Sequence, residues 1–129
     1  MNTELTMLAW TVVLGIAQIV LGATLSTAQR GLSWNASARD APVPPLTGVA
    51  GRVDRALRNL LETLPLFAAA VLAVVVAHRT NAGTALGAQI FLGARVVYLA
   101  VYAAGVPYLR TLVWTAAMFG LVKVVLGLF

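Results

Sequence analysis

The 129-residue chain contains no cysteine and a single histidine, His78. Disulfides, thiolate metal centres and a cysteine nucleophile are therefore excluded, and one imidazole without thiols makes no metal site. Charge is also scarce. Only 10% of the residues are charged, and just four are acidic: Glu4, Asp40, Asp54 and Glu62. What fills the chain instead is apolar, with 60% of residues hydrophobic. A domain this small removes only part of such a surface from water, so the solvent for the remainder is lipid.

A spanning helix needs about 20 predominantly apolar residues, and the sequence offers four such stretches, over roughly 3–27, 52–78, 84–103 and 109–128. The expected fold is all-α, an integral membrane four-helix bundle forming one domain. The first stretch is a retained helix rather than a signal peptide, because Glu4 and no positive charge precede a run from Leu5 to Leu25 that is long enough to span. Between Arg30 and Gly51 lie Asn35, Asp40, Pro42, Pro44, Pro45 and Gly48, a composition that favours turns and extended backbone. Pro65 inside the second stretch predicts a kink. Gly83 and Gly87 have the spacing that permits close helix contact, in a chain rich enough in small residues for the spacing to arise by chance.

The net charge of +5 suggests an anionic partner. Its arginines sit beside or inside apolar runs rather than on a polar face, which favours anionic lipid headgroups or a small anion over nucleic acid. Arg30, Arg39, Arg52, Arg55, Arg58 and Arg110 fall on the side of the first and third loops, against Arg79 and Lys123 opposite. By the positive-inside rule the loop-one side is cytoplasmic and both termini point away from it.

Charged side chains within a spanning helix are expensive unless they face a protein interior or a wet cavity. At 100° per residue, with Arg55 as zero, Asn59 lies near ~40°, Arg52 near ~60°, Glu62 near about −20° and Arg58 near about −60°. All five share one face of helix two. Arg52, at the helix start, either snorkels to headgroups or joins the stripe. Glu62 lies about 15 Å further along the axis, where a carboxylate needs a partner, and Arg95 on helix three sits at a comparable depth. The two form either a structural ion pair or part of a polar pocket. Tyr98 and Tyr102 follow Arg95 on nearly the same line of helix three, Arg110 opens helix four, and Trp114 lies one turn deeper. Together these side chains describe a cationic, hydroxyl-bearing pocket suited to a small ligand with carboxylates.

The stretch Arg52–Phe67, RVDRALRNLLETLPLF, preceded by PPLTG, and the stretch ARVVYLAVY ending at Tyr102 resemble the membrane-associated proteins in eicosanoid and glutathione metabolism. That family includes microsomal glutathione transferases, leukotriene C synthase and prostaglandin E synthase. The similarity covers nearly the whole chain and rests on R-x-x-x-N-x-x-E combined with R-x-x-Y-x-x-x-Y. It implies a homotrimer that binds glutathione as co-substrate between neighbouring subunits, with no metal. Arg55, Asn59, Glu62, Arg95, Tyr98 and Tyr102 would hold the tripeptide, joined by Arg58 on the same stripe and by Arg30, which matches a carboxylate-gripping arginine. Arg110 matches the arginine beside the glutathione sulfur, the catalytic position. Thr111 and Trp114 fall toward the hydrophobic substrate, a lipophilic electrophile or lipid hydroperoxide. Trp114 stands where the prostaglandin enzyme has tyrosine, and Tyr98 where it has histidine, so substrate identity does not transfer. Two rivals accompany the glutathione transferase or peroxidase reading: a non-catalytic lipid-binding protein of the same fold, and a small proton-coupled exporter using Glu62.

Overall fold

The computed structural model describes residues 1–129. Five helices follow in order: α1 Thr3–Arg30, α2 Leu32–Ala36, α3 Gly48–Val76, α4 Ala82–Ala104 and α5 Pro107–Leu126. All but α2 are long and apolar enough to cross a membrane. Large apolar side chains are exposed along each of these four, from Trp10, Ile16 and Val20 on α1 to Leu112, Phe119 and Val122 on α5. An outer surface of that kind is stable in lipid and not in water.

Local signals explain the helix ends. Asn2 caps α1, its side-chain oxygen accepting from the Leu5 amide at 3.0 Å. Asn81 and Thr84 form a reciprocal capping box at the start of α4, with bonds of 2.8 and 2.9 Å. Gly105 ends α4 in the left-handed conformation, φ 78°, and Pro107 sits in the first turn of α5, where its missing amide hydrogen costs nothing. The α4–α5 turn is correspondingly short.

Boundaries depart from expectation mainly around the first loop. α1 runs on to Arg30 and α3 starts at Gly48 rather than Arg52. The intervening segment carries the short α2. The Gln29 side chain donates to the Thr47 carbonyl at 3.2 Å and accepts from the Thr47 amide at 2.9 Å, tying the far end of the loop to α1. That two-way bond supplies partners for loop backbone which composition alone does not reveal. α3 is one continuous helix through Pro65.

α4 and α5 make the most extensive helix pair, and α1 packs on both α3 and α4. Gly87 and Gly120 mark where α4 and α5 come closest: a Cβ at either would lie 2.6 Å from the carbonyl oxygen of the other. The Gly87 half of the Gly83/Gly87 spacing therefore serves contact within the chain. The buried apolar cluster comprises Phe67, Ala70, Val71, Val74, Ala88, Phe91, Ala117, Leu121 and Val124, with the Phe67 and Phe91 rings stacked at 4.1 Å. It occupies the half of the bundle near the chain termini. The half near the first loop keeps a smaller buried apolar row on α3, Ala50, Val53, Ala56 and Leu60, beside the polar side chains.

Candidate functional site

Arg95 lies one turn beyond Phe91, at the edge of the Phe67–Phe91 cluster. It is 1% exposed, the largest of the fully buried side chains. Its Nη1 donates to Asn59 Oδ1 at 2.8 Å, and its guanidinium carbon sits 4.5 Å from the centre of the Tyr98 ring. The Nε hydrogen is buried with no acceptor. An Arg guanidinium offers five donors, so this group is presented with donor capacity unused.

The stripe then continues toward the α4–α5 turn. Tyr98 and Tyr102, one turn apart on α4, meet edge to face at 5.4 Å. Arg55 Nε donates to the Tyr102 hydroxyl at 3.1 Å. The Arg110 guanidinium lies over the Tyr102 ring, 4.9 Å from its centre, a cation–π contact that fixes the side chain without consuming its hydrogen bonds.

Asn59, Tyr98, Arg110, Thr111 and Trp114 line one cavity of about 190 Å³. Arg52, Arg55, Tyr102, Gly105, Val106, Pro107 and Arg110 line a second of about 200 Å³. Arg30, Asp54, Arg55 and Arg58 line a third of about 250 Å³ with Pro45, Leu46 and Gly51. The second shares Arg110 with the first and Arg55 with the third, so the three adjoin along α3. Eight of the expected residues thus meet at one end of the bundle: Asn59, Arg95, Tyr98, Tyr102, Arg55, Arg110, Thr111 and Trp114.

Three others stand apart from that group. Glu62 does not pair with Arg95, whose partner is Asn59; its side chain lies exposed on the outer surface of α3. Arg58 is 74% exposed and bridges Asp54 one turn back at 3.1 Å, the single ion pair of the protein. Arg30 donates to the Pro44 carbonyl at 3.4 Å and stacks on Trp34 at 5.0 Å, facing the third cavity rather than the first. The physical reason is angular. On α3 the positive side of the stripe, Arg55, Asn59 and Arg52, turns toward α4, whereas the negative side, Glu62 and Arg58, rolls off the protomer. A helical wheel shows that residues share a face but not which edge of that face meets a neighbour.

A family model described as the MAPEG family matches residues 7–129. The chain belongs to that family. Membership of the MAPEG family carries a membrane function in glutathione or eicosanoid metabolism and leaves the individual activity open. A comparison with curated proteins gave no match.

The MAPEG chain also carries contacts that the sequence did not announce. Arg52 donates from Nε to the Ala103 carbonyl at 2.9 Å, tying α3 to the end of α4. Glu4 is buried and accepts from the Thr84 hydroxyl at 3.2 Å, joining α1 to the start of α4. Trp34 is flanked by Arg30 and Arg39, at 5.0 and 5.4 Å. A Glu before an apolar run and a Thr after an Asn cap were the only hints of the second contact, and nothing in their separation of 80 residues links them.

Proposed function

We propose that this MAPEG protein is a membrane glutathione transferase, with Arg110 lowering the pKa of the glutathione thiol for attack on a lipophilic electrophile. The observation that carries the reading is the first cavity. One guanidinium, free of any carboxylate, faces a pocket walled by Asn59, Tyr98, Thr111 and Trp114. A thiol with an ordinary pKa of ~8.5 is mostly protonated at neutral pH, and a guanidinium within a few ångströms shifts the balance toward the reactive thiolate.

The donor set suits the tripeptide. Glutathione carries two carboxylates, and Arg55, Arg95 and Arg110 all retain donors without a protein acceptor. The hydroxyls of Tyr98 and Tyr102 and the Asn59 amide supply further polar contacts, with Arg30 and Arg58 at the adjoining cavity. In conjugation the thiolate sulfur forms a bond to the electrophilic carbon as the leaving group departs with the bonding electrons. Thr111 and Trp114 are exposed on α5 toward lipid, a fitting approach for a substrate dissolved in the bilayer. With a lipid hydroperoxide as electrophile, the same thiolate would attack oxygen and a second glutathione would complete the reduction.

A homotrimer with the ligand between subunits belongs to the same proposal. Glu62 and Arg58 lie on an exposed face of α3, and Glu62 is about 15 Å along the axis from Arg52. A carboxylate facing hydrocarbon at that depth is costly, whereas covered by a neighbouring subunit it becomes part of a site. The site end faces the cytoplasm on the charge count, with both termini on the other side.

The test is calorimetry with glutathione on the purified protein, followed by conjugation to an aryl halide. Wild type should bind and turn over, and Arg110→Ala should abolish thiolate absorbance while leaving the oligomer intact. Absence of glutathione binding to wild type refutes the reading. Binding without thiolate formation makes the protein a lipid or ligand binder instead.

A further inference from the structure

The second cavity contains a grouping that the glutathione reading uses only in part. Arg52, Arg55 and Arg110 converge on it from α3 and from the start of α5, and no acidic residue lines it. The one ion pair in the protein is Arg58 with Asp54, so none of these three guanidinium groups has a carboxylate within bonding distance. Like charges held together in this way repel one another unless an anion sits among them.

The details favour a particular kind of anion. The Arg52 Nε–H is taken by the Ala103 carbonyl at the C-terminal end of α4, which fixes the plane of the guanidinium beside Gly105, where a Cβ would lie 3.5 Å from Nε. Its two terminal nitrogens have no protein acceptor. Arg55 is likewise engaged through Nε only, by Tyr102, whose hydroxyl hydrogen stays available. Arg110 is held by the Tyr102 ring alone. Three forks approaching from different directions outnumber the two oxygens of a carboxylate and match the tetrahedral oxygens of a phosphate.

We propose that this cavity, centred on Arg52, is an oxyanion site that takes a phosphate group, either free phosphate or the headgroup of an anionic phospholipid. Because Arg55 and Arg110 serve both this site and the glutathione site, phosphate and glutathione exclude one another. Only this exclusion rests on the transferase reading. Arg52 belongs to the oxyanion site and not to the set that holds glutathione.

The experiment uses the purified full chain in zwitterionic detergent. Thermal unfolding is followed against inorganic phosphate, with chloride at equal ionic strength as control. In parallel, bound lipid is quantified after reconstitution into vesicles of zwitterionic phospholipid with and without phosphatidylglycerol, and re-extraction. Arg52→Gln is the first variant. Val106→Asp is the second: it sets a carboxylate at the mouth of the cavity, at the N-cap of α5, where aspartate also supports the helix.

A saturable phosphate stabilisation of wild type, weakened about tenfold or more in affinity by loss of a charged hydrogen-bonding partner in Arg52→Gln, supports the site with a soluble ligand. No phosphate response, but selective retention of phosphatidylglycerol that the variant loses, supports it with a lipid headgroup. If Arg52→Gln does not fold, Val106→Asp decides by the same criteria. Neither response in wild type, or a response that the deciding variant keeps, overturns the proposal. Glutathione titrated with and without phosphate separates the two readings: phosphate should raise the apparent Kd for wild type and not for Arg52→Gln. Failure of glutathione to bind at all removes the transferase reading while the phosphate measurements still stand.

Discussion

Replacing Asn59 by alanine removes the one hydrogen-bond acceptor that the structure gives the buried Arg95 guanidinium, a contact of 2.8 Å. The Nε hydrogen already lacks a partner, and the side chain is 1% exposed, so water cannot compensate fully. A hydrogen bond to a charged group contributes about 1.5–3 kcal/mol, and Asn59→Ala should destabilise the protein by about that amount. Removing both members differs in sign and meaning. Arg95→Met with Asn59→Leu replaces a polar pair by apolar groups of similar length, a change that is close to neutral when no partner is left unsatisfied. The cycle of Asn59→Leu, Arg95→Met and the double variant therefore has one costly single variant, Asn59→Leu, and a double variant within about 1 kcal/mol of wild type. Reversible unfolding in mixed micelles, followed by circular dichroism, measures the four proteins of the cycle and Asn59→Ala. Calorimetry on the double variant separates folding from function, since the folded protein should no longer bind glutathione. A cost below about 0.5 kcal/mol for Asn59→Ala, or a double variant that binds glutathione as wild type does, would refute the role assigned to this pair.

The pH dependence of thiolate formation should move in a defined direction. Under the proposed function the Arg110 guanidinium would favour the charged form of the glutathione thiol and hold its midpoint below ~8.5, so Arg110→Ala should raise that midpoint by about 1–3 pH units in stopped-flow absorbance. An unchanged midpoint would show that another group activates the thiol. Gly87→Ala puts a methyl group 2.6 Å from the Gly120 carbonyl oxygen and 2.8 Å from Lys123 Cβ. It should cost about 1–3 kcal/mol through forced separation of α4 and α5, seen as a lower unfolding midpoint, whereas Gly93→Ala, inside α4 with open space at its Cβ position, should stabilise by up to about 1 kcal/mol. Gln29→Ala releases both bonds to the Thr47 backbone. Limited proteolysis between residues 37 and 46 should then accelerate several-fold while cleavage elsewhere is unchanged, and equal rates would mean that the tie contributes nothing to the loop.

Much of this architecture was readable from residue pattern because lipid imposes simple rules. Four apolar runs of spanning length specify four helices, and the α4–α5 turn follows from Gly105 and Pro107. The Arg95, Tyr98, Tyr102 line appears as drawn, because residues three and four apart on one helix must be neighbours. Partner choice was harder. Arg95 takes Asn59 rather than Glu62 because helix rotation, fixed by the apolar contacts of Phe67 with Phe91 further along, aims one edge of the α3 stripe inward and the other outward. The tether of Arg52 to Ala103 and the burial of Glu4 beside Thr84 depend on how chain segments 51 and 80 residues apart come together. Local periodicity carries no trace of that.

The glycine crossing near the termini also governs events at the opposite end. Two rods packed most tightly at one crossing and joined by a short turn behave as a wedge, whose opening is set by the thickness at that crossing. Gly87 lies eleven residues, or about 16 Å along the axis, from Tyr98. The width of the cavity lined by Tyr98, Arg110 and Trp114 is thus dimensioned by two hydrogen atoms where side chains would otherwise be, far from any residue that lines it. Enlarging or narrowing that cavity calls for changes at the crossing, with every lining residue left as it is.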